Sequence, residues 1–197
     1  MLLKKNNLFF LTLSLLMAGV IVLSNFLVQF PFKHYGLENI LTYGAFSYPI
    51  AFLITDLTNR IFGKNLAKKV VYIGFFTGIF VSFLFTFNNV NFIAIRIVFG
   101  SGIAFLVAQL LDVKIFDIFR YRTWFLPPLI SSFFSSIVDT FIFFFIAFYA
   151  TGFNWLYLAF GDLCVKIFIA LLMLIPFRAF IYFTKNLVFK DKLFKVN

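Results

Sequence analysis

Hydrophobic residues fall in six long stretches along this chain, separated by short polar breaks. The first runs from Leu8 to Phe30 without a charge. That is longer than the roughly 20 residues a helix needs to cross the apolar core of a bilayer. The others cover about 42–62, 70–87, 91–111, 125–149 and 156–183. The pattern predicts an all-α, polytopic integral membrane protein: six transmembrane helices in a single domain spanning 1–197. The breaks carry residues that end or start helices. Gly63 follows the second stretch, where it serves as a C-cap. Pro127 and Pro128 open the fifth, where a missing amide proton costs little. "TFNNVN", 86–91, reads as a tight polar turn. The N-terminal apolar run follows Lys4 and Lys5 but is too long for a signal peptide and lacks a small-residue cleavage pattern.

Composition points the same way. The chain is 63% hydrophobic and 12% charged, with a mean hydropathy of +1.03, whereas soluble domains are usually about half apolar. The net charge of +10 is carried by loops. Lys4, Lys5, Lys64, Lys68, Lys69, Lys114, Arg120, Arg122, Arg178, Lys185, Lys190, Lys192 and Lys195 fall on one side of the six-span arrangement, and only Lys33 on the other. Lys and Arg concentrate on the cytoplasmic side, so both termini are expected there, in a multi-pass protein of the cell inner membrane. These residues are scattered over separate loops beside anionic lipid head groups, which argues against a nucleic-acid partner. Cys164 is the only cysteine and His34 the only histidine. An intrachain disulfide is excluded, and no metal site or cofactor is expected. With no Gly-rich phosphate loop, HExxH or GxSxG motif, the chain is expected to be neither an ATPase nor any other enzyme.

Charges within the spans are the informative exceptions. Arg60, Arg96 and Lys166 stand against Asp56, Asp139 and Asp162, which suggests mutual neutralisation. A lone charge at mid-bilayer costs about 2.5–3.5 kcal/mol on insertion scales. Asp56/Arg60 and Asp162/Lys166 are spaced i,i+4, so each pair shares a helix face; Asn25 and Gln29 share that spacing. Ser131, Ser135 and Asp139 form a stripe on the fifth span, with Ser132, Ser136 and Thr140 beside it. Counted at about 1.5 Å per residue, Arg96, Asp162, Asn25 and Gln29 lie in the outer half. Asp139 and Lys166 lie nearer the middle. Asp56 and Arg60 lie in the inner half, with Gln109 and Asp112 at the inner end of span four. Polar groups at most depths suit a solute path or a central site. Structural roles stand beside that reading: buried pairs set register, serine stripes permit close packing, and Arg60 snorkels to the surface. Pro49 either frees backbone groups for a solute or is a kink without a role.

The order of these motifs resembles a known family. "SNFLVQ" (24–29), "TYGAFSYPIAFLITDLTNRIFG" (42–63), "AQLLDVKIF" (108–116), "SSIVDTFIFFFIAF" (135–148) and "DLCVKI" (162–167) are similar to the queuosine precursor transporters of the vitamin uptake transporter group. The resemblance implies import of 7-deazaguanine bases, namely 7-cyano-7-deazaguanine and 7-aminomethyl-7-deazaguanine, salvaged for queuosine in tRNA. It also implies a homo-oligomer, such as a homodimer, without an ATPase domain. On such a ligand, Asp139 is the expected acceptor for the ring donors at N1 and N2. Arg96, Lys166, Asn25 or Gln29 supplies a donor to O6, and Asp162 belongs to the same substrate-binding set. Asp56, Arg60, Gln109 and Asp112 are expected in a gate or a helix-to-helix lock. The alternative is a substrate-binding membrane subunit of a multi-subunit uptake system.

Overall fold

Each of the six apolar stretches forms a helix in the structure, a computed structural model that describes residues 2–27, 30, 32–33, 41–86, 92–152 and 154–193. The helices are α1 (Leu2–Leu27), α2 (Gly44–Phe62), α3 (Lys64–Thr86), α4 (Phe92–Phe119), α5 (Leu126–Phe148) and α6 (Trp155–Leu193). Three of them contain segments long and apolar enough to cross a membrane: Phe10–Leu27, Leu126–Phe148 and Trp155–Phe183. The expected turn at 86–91 lies almost wholly outside the described residues, as does Gln29.

Local chemistry sets several boundaries. Gly63 takes φ +92° and donates its N–H to the Asn59 carbonyl at 2.9 Å. That is the left-handed region a glycine enters without strain. A Cβ there would also stand 3.2 Å from the Arg120 guanidinium. Pro127 and Pro128 occupy the first turn of α5, as expected. Pro49 lies inside α2, and the helix runs unbroken through it. Two helices outrun their apolar stretches. α4 continues to Phe119 and α6 to Leu193. Lys64 pairs with Asp117 at 3.5 Å, and Arg120 with Asp117 at 3.9 Å.

Contacts fix the helix directions. α1 and α3 run parallel, with Met17 against Gly74 and Ile21 against Gly78. α2 and α4 also run parallel, since Thr55 meets Gln109 and Asn59 meets Val113. α4 and α5 are antiparallel, because Gly100 approaches Phe143 while Arg96 reaches Tyr149. α3 and α4 are antiparallel, with Ile79 beside Gly102 and Phe75 beside Phe105, and so are α5 and α6, where Thr140 meets Asp162 and Phe145 meets Trp155, so directions alternate along the chain. The surface is apolar and the interior is unusually polar. Phe76, Phe80, Phe99, Phe134 and Phe168 are exposed, whereas Ser131, Ser135, Thr55, Asn59, Gln109 and Asp112 are fully buried. A lipid solvent favours this partition, because aliphatic and aromatic side chains dissolve in it and polar groups need partners inside the protein.

The α1–α3 contact depends on a GxxxG pair, Gly74 and Gly78, in the manner of close helix packing in lipid. A Cβ at Gly78 would lie 2.8 Å from Ile21 Cβ and 3.2 Å from the Ala18 carbonyl oxygen, whereas one at Gly19 meets nothing within 4 Å. Gly78→Ala is expected to cost about 1–3 kcal/mol through overpacking. Gly19→Ala is expected to be neutral or stabilising by up to about 1 kcal/mol through helix propensity. Thermal unfolding of the two purified variants checks this, and equal melting temperatures would refute the close approach.

Candidate functional site

The polar centre of the bundle is one lysine between two carboxylates. Lys166 on α6 places Nζ 2.8 Å from Asp139 Oδ2 on α5 and 2.6 Å from Asp162 Oδ2, one turn earlier on α6. Helical side chains lean toward the N-terminus, so Lys166 reaches back to Asp162. Antiparallel packing of α5 brings Asp139 to the same point. Thr140 completes the set: its hydroxyl donates to Asp162 Oδ2 at 3.0 Å and accepts from Lys166 Nζ at 3.2 Å. An ammonium group has three N–H donors, and Asp139, Asp162 and Thr140 use all three. Asp139 and Lys166 are each 4% exposed and Asp162 9%, so two carboxylates share one cation within the bundle.

This cluster forms part of the wall of a cavity of about 160 Å³. Tyr48 of α2 borders it, its ring 5.6 Å from Lys166 Nζ in a cation–π arrangement. Ser101, Phe143, Phe144 and Phe148 supply other walls. Oδ2 of each aspartate meets Lys166, and no hydrogen bond to Oδ1 of either is found among the described residues. Tyr48 and Ser101 bring hydroxyl groups to the same space. Neither was singled out from the sequence, although Tyr48 lies within the most specific motif block, next to Pro49.

The remaining candidates are placed elsewhere. Asn25 donates to Ser82 at 3.1 Å, and its Oδ1 lies 3.5 Å from the Tyr48 hydroxyl. It therefore stands behind Tyr48 and is not part of the cavity wall. Gln29 lies outside the described residues. Arg96 donates to the carbonyls of Ile146 and Tyr149, each at 2.8 Å. These belong to the last turn of α5 and its C-cap, where carbonyls lack intrahelical partners. Its guanidinium clips α4 to α5 outside the cavity lining.

The expected pairing of Asp56 with Arg60 does not form. Arg60 is in the last turn of α2 and donates to the Arg120 carbonyl, while Arg120 donates to the Arg60 carbonyl at 3.2 Å. Open carbonyls at two helix ends thus outcompete the carboxylate one turn back. Three-against-three neutralisation is corrected accordingly. Lys166 serves two acids, the two arginines serve carbonyls, and Asp56 lies beside Asp112 of α4. Ser131 Oγ, 3.3 Å from Asp56 Oδ1, joins α5 to this second layer. Gln109 Oε1 meets the Thr55 hydroxyl at 2.5 Å, and Asn59 Nδ2 donates to the Val113 carbonyl at 3.0 Å. The residues expected at a gate or lock therefore join α2 to α4. Asp56 and Asp139 are both on the buried face of α5 or opposite it, and the Ser131/Ser135/Asp139 stripe spans the roughly 12 Å of helix rise between the layers.

The charge arithmetic of the centre is testable. Lys166→Met leaves two buried carboxylates without a cation and is expected to destabilise by about 3–5 kcal/mol, as for other broken buried pairs. Asp162→Asn keeps the Asp139–Lys166 pair and is expected to cost less. Adding Asp162→Asn to Lys166→Met is expected to recover part of the loss. Thermal unfolding of the three variants measures it, and strictly additive losses would show that the two residues answer to different partners.

Comparison with known proteins gives the chain's kinship. Residues 42–181 match the family model described as a putative vitamin uptake transporter. The chain is 35% identical over 183 residues to the queuosine precursor transporter of Escherichia coli (strain K12), covering 83% of this chain and 82% of that protein. It is 33% identical over 186 residues to the probable queuosine precursor transporter of Haemophilus influenzae (strain ATCC 51907 / DSM 11121 / KW20 / Rd), covering 80% and 79%. No solved structure matches. A polar centre held inside an apolar helical bundle, together with kinship over most of the chain, places this protein in the vitamin uptake transporter family.

Proposed function

We propose that this chain imports queuosine precursors, 7-deazaguanine bases, across the cell inner membrane. The observation that carries the chemistry is the meeting of two carboxylates and one ammonium at the wall of an aromatic-lined cavity. A deazaguanine is flat and offers donors at N1 and N2 and an acceptor at O6. Oδ1 of Asp139 accepts from the ring donors, with Asp162 as its neighbour. Lys166 spends its three donors on the cluster, so its role is to hold the carboxylates. The O6 donor is then the Tyr48 hydroxyl, whose contact with Asn25 Oδ1 is long at 3.5 Å, whereas Ser101 already donates to the Val98 carbonyl at 3.0 Å. Phe143, Phe144 and Phe148 offer ring faces for stacking, which is worth about 1–3 kcal/mol per base in other base-binding sites. The excess of carboxylate over ammonium favours a ligand rich in donors, and the cationic 7-aminomethyl form over the neutral 7-cyano form.

Asp139→Asn removes the charge, keeps the size and presents a donor where an acceptor is needed. A site built on polar contacts rejects mismatched partners strongly, because its own groups are left unpaired. Uptake of labelled deazaguanine, normalised to folded protein, is expected to fall at least tenfold in Asp139→Asn and to be intermediate in Asp139→Glu. Near-normal uptake in Asp139→Asn would move the acceptor role to Asp162. Liposomes containing only this protein are expected to exchange substrate. Activity that appears only with an added ATPase complex would favour the binding-subunit alternative.

The topology that goes with import is six spans with both termini cytoplasmic. Alternating helix directions support it, as does the gathering of Lys64, Asp117, Arg120 and Arg60 at one end of the bundle. Arg178 lies over the Trp124 ring at 4.9 Å, which adds α6 to that basic end. Tags at Asn197 and in the 64–69 segment are expected to report cytoplasmic, and one near Asn39 external. A periplasmic signal from Asn197 would overturn the arrangement.

A further inference from the structure

The second polar layer is chemically unlike the first. Asp56 (3% exposed) and Asp112 (0%) lie side by side among α2, α4 and α5. Among the described residues no basic side chain forms an ion pair with either. The charged groups nearest along each packed helix are exposed or engaged elsewhere. Arg60 of α2 binds the Arg120 carbonyl; on α4, Lys114 is exposed, and Asp117 pairs with Lys64 of α3 and with Arg120 just beyond the helix. Lys166 of α6, which borders the same narrow cleft as Asp56, is held by Asp139 and Asp162. α5 contributes Ser131, which carries no charge.

The neutral groups around the pair are short of donors as well. Both Asp112 oxygens, Asn59 Oδ1 and Gln109 Nε2 are buried without a hydrogen-bond partner. Asn59 and Gln109 are 0% exposed. Asn59 is one turn from Asp56, and its amide nitrogen is anchored on Val113, the residue after Asp112. Gln109 is one turn before Asp112 and is held by Thr55, the residue before Asp56. The Thr55 hydroxyl has a single hydrogen, yet it lies 3.1 Å from the Ala51 carbonyl and 2.5 Å from the Gln109 amide. Both contacts are satisfied when Gln109 turns its NH2 to Thr55 and Thr55 donates to Ala51. In that flipped orientation Oε1 rather than Nε2 of Gln109 is left without a partner, and every unpaired atom named above is an oxygen acceptor.

A buried, donor-deficient oxygen cluster with two carboxyl groups is built for a cation. We propose that Asp56 and Asp112, with Asn59 and Gln109, form a binding site for a monovalent cation, sodium ion or proton, that accompanies transport. Hard cations take carboxylate and amide oxygens. A sodium ion satisfies all four residues, and a proton shared between the two aspartates satisfies the carboxyl groups alone. The stripe through Ser131 and Ser135 to Asp139 connects this site with the ligand cavity on the same helix. The accompanying role rests on the transport reading above; occupancy of the site does not.

Stability of the purified protein tests occupancy without any organic substrate, because a ligand bound only by the folded state raises its stability. Melting temperature is measured against sodium chloride at constant ionic strength, with choline chloride as replacement, and again at falling pH without sodium. In the sodium arm, wild type gains several degrees saturably, choline gives nothing, and Asp112→Asn abolishes the gain. In the proton arm, sodium has no effect, and wild type is stabilised as pH falls because the folded state takes up the extra proton. Asp112→Asn again removes the response. Either arm supports the site and names its cation. Asp112→Asn is expected to fold, since it removes a buried charge that lacks a partner; if it does not, Asp56→Asn takes its place. Sodium and pH responses unchanged in the folded variant overturn the proposal. Loss of substrate uptake with these cation responses intact would instead count against the transport reading.

Discussion

The cost of a charge inside an apolar bundle governs the centre of this structure, and Lys166 is where that cost is met. Its ammonium is buried and holds two carboxylates from two helices, with Thr140 completing its donors. Tyr48 adds a third helix by placing its ring beside the same nitrogen. The relative rotation of α2, α5 and α6 is therefore constrained by a single group. Those helices could pack on apolar contacts in many registers, because lipid offers no hydrophobic preference among them. The polar cluster selects one, which is the use of buried ion pairs best attested elsewhere. The selection also forms the cavity, whose acidic wall is the same set of side chains.

α5 shows how a helix can serve two layers at once. Ser131, Ser132, Ser135, Ser136, Asp139 and Thr140 are all buried, while Phe133, Phe134 and Phe145 face outward. The small residues let α2 and α6 approach, and their hydroxyls reach both acid clusters. Ser131 meets Asp56, and Thr140 meets Asp162 and Lys166. A small shift or rotation of α5 changes the surroundings of both layers together, which is the kind of shared element that coupling between two sites needs.

The sequence carried some of this and lacked the rest for a definite reason. Apolar run length revealed the helices, and residue type revealed Gly63 and the opening prolines, because these are properties of a single segment. Spacing along one helix revealed the Asp162–Lys166 pair and the serine stripes. It misjudged Asp56 and Arg60, which have the same spacing, because spacing shows which groups can meet and not what competes for them. Arg60 is close enough to its helix end to reach open carbonyls, and Lys166 is not. The joining of Asp139 to Lys166, of Asp56 to Asp112 and of Tyr48 to the cavity depends on how one helix is turned against another. No pattern within a segment encodes that.

Arginine and lysine divide the work according to their chemistry. The guanidinium groups of Arg60, Arg96 and Arg120 each meet main-chain carbonyls at helix ends. A planar fork with several donors suits such clusters of acceptors, and it is less strongly hydrated than an ammonium. These arginines thus act as clasps between helix ends, and Arg120 also pairs with Asp117 at 3.9 Å. Lysine offers a compact charge with three donors, which suits two carboxylate oxygens and a hydroxyl around one point. Among the described residues, Lys166 is the one cation that pairs with any of the four buried aspartates. The Asp139–Asp162 pair is balanced in part by that lysine, and the Asp56–Asp112 pair has no ion-pair partner among the described residues. An acid cluster already closed by lysine gives a ligand a steady electrostatic wall, whereas one left open responds to whatever small cation enters. Two layers of the same residue type, joined by the buried face of α5, therefore differ in charge balance because of where a single lysine stands.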